Sequence, residues 1–193
     1  MKTDVGIFGG TFDPPHIGHV AAAQRCRAAL GLSRVLLVVA NDPWQKSPDR
    51  LVSPAGDRLA MVEAAITGIE GVEVCDLEVR RGGPSYTIET VEALARTEAI
   101  ENPWVIVGSD LSTTMGTWER AEQLATMVRV AVLSRPGSPL VLPEGWRAVA
   151  VPSDDLDVSS SAVRARVRAG QDIADVVAPA VVRHIAAQGL YIG

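Results

Sequence analysis

The chain has 193 residues, 47% of them hydrophobic and 21% charged, a balance that excludes a disordered polymer and suffices for a sizeable buried core. Its 18 basic and 23 acidic residues give a formal net charge of -5, which argues against nucleic acid as the main partner. No apolar run reaches membrane-spanning length, and Met1 to Asp4 lead straight into a short apolar segment without a secretory leader; two cysteines, Cys26 and Cys75, are too few for a disulfide framework or a four-thiolate zinc site, so a reducing cytoplasm is expected.

In chain order, Val5 to Phe8 is the first strand-sized run, followed by a helix from Ile17 to Leu30 that Gly31 stops. Val35 to Ala40 is the second strand. Ser53-Pro54 then opens a helix that reaches about Thr67, before Gly68. Val72 to Cys75, a helix from Thr87 to Thr97, Trp104 to Val107, a helix from Trp118 to Thr126 and Val128 to Leu133 continue the alternation. Gly137 to Gly145 reads as a loop, and Trp146 to Val151 as one more strand. Ser159 to Ala169 and Pro179 to Gln188 form a small closing helical part. Continuous apolar strands alternating with helices predict an α/β chain with a doubly wound parallel sheet covered on both faces. Without repeats or an evident linker, residues 1–193 are expected to form one domain.

The densest chemistry lies in Gly9 to His19, GGTFDPPHIGH, between the first strand and the first helix. An open α/β sheet places its ligands at such a junction, where glycines let the backbone approach a phosphate and the helix start offers unpaired amides. The segment is neither GxGxxG nor a Walker loop. It carries His16 and His19, which one helical turn would bring to the same side. A loop that merely turns a corner is the plain alternative. A metal site with Cys26 is another, although no further cluster completes its shell.

The second signal is Val158-Ser159-Ser160-Ser161-Ala162-Val163-Arg164. Ser159 or Ser160 suits an N-cap whose first-turn amides face an anion, and Arg164 can add a charge-assisted contact. Alone it is also what a serine-capped surface helix would show. Two phosphate-suited helix starts from opposite ends of one chain would suit a triphosphate.

Together the two segments resemble the HxGH nucleotidyltransferase superfamily, with its N-terminal GxFDPxHxGH and late ISSTxIR. Within it, the stretches Asn41 to Lys46, Pro84-Ser85-Tyr86-Thr87, Gly108-Ser109-Asp110, Thr117-Trp118 and Gly189-Leu190-Tyr191 resemble the bacterial nicotinate mononucleotide adenylyltransferases over nearly the whole chain. Trp44-Gln45 replaces the commoner Pro-His, and Ser112, Thr113 and Thr114 are more polar than is usual there. The resemblance implies a Rossmann-like nucleotidyltransferase fold and the joining of ATP and a mononucleotide acceptor, nicotinate mononucleotide, to give nicotinate adenine dinucleotide and pyrophosphate in NAD biosynthesis, with Mg2+ carried by the ATP phosphates. It implies His16 and His19 as catalytic. Gly9, Gly10, Thr11, Phe12, Lys46, Ser159, Ser160 and Arg164 would bind ATP and phosphates. Tyr86, Thr87, Gly108, Asp110 and Trp118 would bind the acceptor. It leaves room for a homo-oligomer and implies no nucleic-acid or membrane partner. Nicotinamide mononucleotide or phosphopantetheine as acceptor, and a nucleotide-binding regulator that does not turn over, are the alternatives. His184 lies outside any motif and reads as surface or interface.

Overall fold

The computed structural model describes residues 4–43, 52–134, 140–152 and 158–192. Strands β1 (Val5–Gly10), β2 (Arg34–Val39), β3 (Val72–Cys75), β4 (Trp104–Gly108), β5 (Arg129–Leu133) and β6 (Ala148–Val151) form one six-stranded sheet in the order β3-β2-β1-β4-β5-β6. Every pairing is parallel. The central strands are apolar on both faces because helices cover both: Val35 to Val39 of β2 are all buried. One cluster gathers Ile7, Val38, Ile88, Val105 and Val130 on one face. Another gathers Ala23, Leu37, Val62, Ile106 and Ala131 on the other.

The helices are α1 (Ile17–Leu30), α2 (Ala55–Ile66), α3 (Leu77–Arg81), α4 (Thr87–Glu98), α5 (Ser109–Ser112), α6 (Ala121–Met127), α7 (Ser160–Arg168) and α8 (Pro179–Gln188). Gly31 closes α1 in the left-handed region at φ 62, its N–H donating to the Arg27 carbonyl. The doubly wound parallel sheet and the closing helical part agree with the sequence; several boundaries do not. The helix expected from Trp118 starts at Ala121, because Trp118 is extended and Arg120 is left-handed at φ 49. A 3-10 turn at Met115–Thr117 precedes it. Pro54 caps α2 from outside with ψ 141 and is not its first residue. The short helices α3 and α5 carry too few residues to show a period. Met61 of α2 meets Val163, Val181 and Ile185 in a third apolar cluster, which seats α7 and α8.

Two features shape the centre of the molecule. The first is a break in the sheet: β1 pairs with β4 only at Gly6–Trp104 and Ile7–Val105. Yet β1 stays paired with β2 to Gly10–Val39, and β4 with β5 to Gly108–Leu133. The sheet thus splits at its centre, at the strand ends where the chain order reverses, and leaves a crevice between two half-sheets.

The second feature is Arg58, only 1% exposed, on the core-facing stripe of α2 with Met61, Val62 and Ile66. Its guanidinium donates to the carbonyls of Ser53 (2.9 Å), Thr11 (2.9 Å), Ala40 (2.5 Å) and Asn41 (2.9 Å). It thereby ties the ends of β1 and β2 to the start of α2. Arg58→Met keeps the bulk but leaves four carbonyls unanswered. A loss of about 3–5 kcal/mol in urea unfolding is expected, the cost of stripping one side of a buried polar cluster. A loss below about 1 kcal/mol would contradict this role.

Candidate active site

The crevice is a cavity of about 420 Å3 lined by both half-sheets, the β1–α1 turn, the starts of α4 and α7, and α5 with Trp118. That volume suits a small-molecule ligand. Gly9, Gly10, Thr11, Phe12, His16, His19, Tyr86, Thr87, Gly108, Asp110, Trp118, Ser159 and Ser160 all line it. Residues widely separated in sequence therefore meet on one surface. Lys46 lies outside the described residues. Arg164 does not line the cavity.

His16 is the N-cap of α1 and His19 the third residue of its first turn. Their rings stack with centroids 3.7 Å apart. The His16 backbone N–H donates to Nδ1 of His19 at 3.2 Å. That nitrogen must therefore be unprotonated, which places the proton of the neutral ring on Nε2 as a donor. The Phe12 ring packs edge-on against His19 at 5.0 Å and holds its plane. Gly18 leaves room beside the pair, since a Cβ there would stand 3.1 Å from Nδ1 of His16 and 3.0 Å from Val158 and would press both aside.

The two strand-end glycines divide their labour. Gly9 faces open space, as a close approach by a ligand needs, whereas a Cβ at Gly10 would strike the Phe12 ring at 2.8 Å. Gly10 thus makes room for Phe12, which sits at φ 51 with its ring buried. Such a backbone costs on the order of 1–3 kcal/mol, which burial of the phenyl ring offsets. The Gly10 carbonyl accepts from Ala40, just past β2, and the Thr11 carbonyl from Arg58. In a trans peptide the N–H points opposite to the carbonyl, so the Thr11 and Phe12 amides point away from β2 and Arg58. Both residues line the cavity.

The serine segment reaches the turn directly. Ser159 caps α7, its hydroxyl accepting from the Ala162 N–H at 3.2 Å. The Ser160 hydroxyl donates to the Pro14 carbonyl at 2.9 Å. Arg164 is buried, and its guanidinium donates to the Asp13 carbonyl at 2.6 Å and to Ser161 Oγ at 3.2 Å. In this arrangement Arg164 braces the turn from behind. The Asp13 side chain accepts from the Tyr191 hydroxyl at 2.6 Å.

On the opposite wall Tyr86 is the N-cap of α4 and Thr87 its first residue. Glu78 of α3 is buried beside them and accepts from the Thr90 hydroxyl. Burial raises its pKa, while hydrogen bonds from Ser85 and Thr90 oppose the rise. Ser85 Oγ also accepts from the Asn41 N–H at 2.9 Å, tying this wall to the end of β2.

Arg58, Asp13, Glu78, Gly18 and Tyr191 shape this geometry without a role read from sequence: Asp13, Gly18 and Tyr191 lie in the segments that carry the resemblance, Arg58 shows as a charge in the apolar stripe of α2, and Glu78 gives no signal. His184, expected at the surface or an interface, is half-buried and pairs with Asp57 of α2 at 3.1 Å. Cys26 faces the core, and burial pushes its thiol up to about 12, unlike a metal-bound thiolate. Among the described residues no three His, Cys, Asp or Glu gather as a metal site, and no helix is long and apolar enough to cross a membrane.

The pattern of the cytidylyltransferase-like family matches residues 7–166. A Bordetella avium protein named "Probable nicotinate-nucleotide adenylyltransferase" is 39% identical over 196 residues, covering 97% of each chain. One of the same name from Gemmatimonas aurantiaca is 37% identical over 195 residues, covering 97% of this chain and 92% of its own. Among solved structures, the Plasmodium falciparum nicotinic acid mononucleotide adenylyltransferase complexed with NaAD superposes with a TM-score of 0.81. It is 18% identical and covers 98% of this chain and 97% of its own, a likeness that concerns the fold.

Glu78 generates a pH signature. An acid whose folded pKa lies above its ordinary value, here 4.5, favours the protonated form in the fold. It costs no stability below that value, costs progressively more as pH rises to the raised folded value, and a constant amount above it. Glu78→Gln removes this cost. Its stability relative to the parent is expected to rise as urea unfolding is repeated from about pH 4 to pH 8. A pH-independent difference, or one of opposite slope, would contradict the burial argument.

Proposed function

Since this chain belongs to the cytidylyltransferase-like family, and within it to the nicotinate-nucleotide adenylyltransferases, we propose that it transfers the adenylyl group of ATP to nicotinate mononucleotide, giving nicotinate adenine dinucleotide and pyrophosphate. The observation that carries this reading is the stacked His16–His19 pair and the α7 N-terminus meeting across one central crevice.

An oxygen of the acceptor's phosphate attacks the α-phosphorus. The bond from that phosphorus to the bridging oxygen breaks, and pyrophosphate leaves with the electron pair. A phosphate monoester is already ionised near neutrality, its second pKa being about 6, so no general base is needed. The protein's part is then to align two anions and to place donors where charge develops. His19 offers Nε2–H to the α-phosphate, with His16 beside it. The Gly9 approach and the Thr11 and Phe12 amides receive phosphate oxygens. Ser159, Ser160 and the α7 dipole face the pyrophosphate, with Lys46 as the expected cationic partner. Arg164 acts through the Asp13 carbonyl and adds positive charge behind the turn. On the other wall Asp110 accepts from a ribose, Trp118 offers its ring to the pyridine, and the Tyr86-Thr87 start of α4 receives the nicotinate carboxylate. Gly108 ends β4 where Asp110 enters the crevice.

The groups facing the phosphate end are donors and hydroxyls, suited to anions. Magnesium therefore arrives on the ATP phosphates as part of the substrate, keeping several of its waters. Because the β1 turn and the α7 start wall the same crevice, the chain acts as one catalytic unit.

Pyrophosphate release from MgATP is expected with nicotinate mononucleotide and not with phosphopantetheine, nicotinamide mononucleotide being run in parallel. His19→Ala should lower kcat roughly a hundred- to a thousand-fold, the usual cost of removing one preorganised donor, while still folding cooperatively with the modest loss of stability that removing a capping contact brings. A folded protein that binds ATP but releases no pyrophosphate would favour the regulator, and a His19→Ala variant with near-normal turnover would remove His19 from the chemistry.

A further inference from the structure

Beyond α8 the chain makes one more turn. Gly189 is left-handed at φ 60, and Tyr191 is left-handed as well at φ 67. An aromatic residue adopts that backbone only where its surroundings over-determine it. The reason lies at the other end of the molecule: the Tyr191 hydroxyl donates to Oδ1 of Asp13 at 2.6 Å, across 178 positions of sequence. Asp13 is 1% exposed and lies in the turn that ends at His16. Its other carboxylate oxygen accepts from the Ser53 N–H at 3.5 Å. Arg58 faces both Asp13 and Tyr191 electrostatically. Burial, and then the Asp13 hydrogen bond, push the phenol far above its ordinary range, so it remains a donor.

Packing alone would be satisfied by a phenyl ring. A hydroxyl aimed at a buried carboxylate does something else: it fixes the side chain of Asp13 within the turn. Asp13 is then held through its side chain by Tyr191 and through its carbonyl by Arg164. We propose that Tyr191 is a positioning residue, which acts through Asp13 to hold the turn so that His16 and His19 present their rings to the phosphates. It touches no substrate, since it does not line the cavity. The C-terminal segment thereby completes the catalytic turn.

The turnover test rests on the proposed adenylyl transfer. Tyr191→Phe keeps the ring and removes the hydroxyl. Its kcat is expected to fall on the order of ten- to a hundred-fold, as a small misplacement of catalytic groups does, with KM for ATP and nicotinate mononucleotide within about threefold of the parent. Leu190→Ala serves as the packing control, since Leu190 belongs to the apolar cluster between α2, α7 and α8. That variant should melt earlier and keep its kcat. Independently of any substrate, side-chain nitrogen NMR of the full-length protein should show His19 protonated on Nε2 alone in the parent and as mixed tautomers in Tyr191→Phe. Parental kcat and an unchanged histidine spectrum in Tyr191→Phe would overturn the proposal. If the parent makes no dinucleotide, the adenylyl-transfer reading fails, and the histidine spectrum alone decides the role of Tyr191.

Discussion

Everything at the crevice depends on the turn between β1 and α1 being held by its carbonyls. Thr11 is gripped by Arg58, Asp13 by Arg164, and Pro14 by Ser160. The holders come from α2 and α7, far apart in sequence: Arg58 and Arg164 stand outside the crevice lining, while Ser160 lies at its wall. The N–H and carbonyl of the Thr11–Phe12 peptide oppose each other, so pinning that carbonyl at the back leaves the Phe12 amide for the front; Asp13 and Pro14 each precede a proline, so their pinned carbonyls fix the course of the turn and free no amide. Arg58 is costly to bury, and a guanidinium with five donors is the side chain best able to repay that cost against several carbonyls at once. The positive charge this brings behind the turn also favours an anion in front of it.

The split sheet supplies the space that the turn looks onto. β1 and β4 diverge after Ile7 and Val105, so Phe8 to Gly10 and Ile106 to Gly108 become facing edges instead of a ladder. Unpaired strand edges and two helix starts carry polar backbone groups that need a partner, and a nucleotide's phosphates and sugars provide one. One consequence is that the two substrates need not share a wall. The turn and α7 suit phosphates. The starts of α4 and α5, with Trp118, suit a ring and a ribose. Glu78, Ser85 and Asn41 then bind the α4 wall to the end of β2, which Arg58 also holds.

The sheet was legible in the sequence because strand and helix periods are local, and α1, α4 and β1 to β5 stand close to where patterning puts them. The histidine pair was legible for the same reason: a spacing of three within one turn brings both rings to one side. What could not be read were roles created by folding. Gly10 looks like a phosphate glycine until the Phe12 ring is seen against it, and Gly18 has no visible purpose until the ring of His16 is placed. Arg164 reads as a phosphate ligand by motif, yet its guanidinium donates to the Asp13 carbonyl of the turn and to Ser161 on its own helix. Tyr191 and Asp13 stand 178 residues apart, beyond the reach of any local pattern. Trp118 was placed on a helix that begins only at Ala121, because a left-handed Arg120 leaves no periodic trace.

The central claim is that the stacked histidines donate to the α-phosphate and do not attack it, while the acceptor's phosphate displaces pyrophosphate in one step. The most direct measurement is the stereochemical course at phosphorus, using ATP made chiral at the α-position with sulfur and nicotinate mononucleotide as acceptor. Inversion of configuration in the dinucleotide product is the expected result. Retention would mean that a side chain, His16 or His19 first of all, carries the nucleotidyl group, and would contradict a turn built to position two anions for direct displacement.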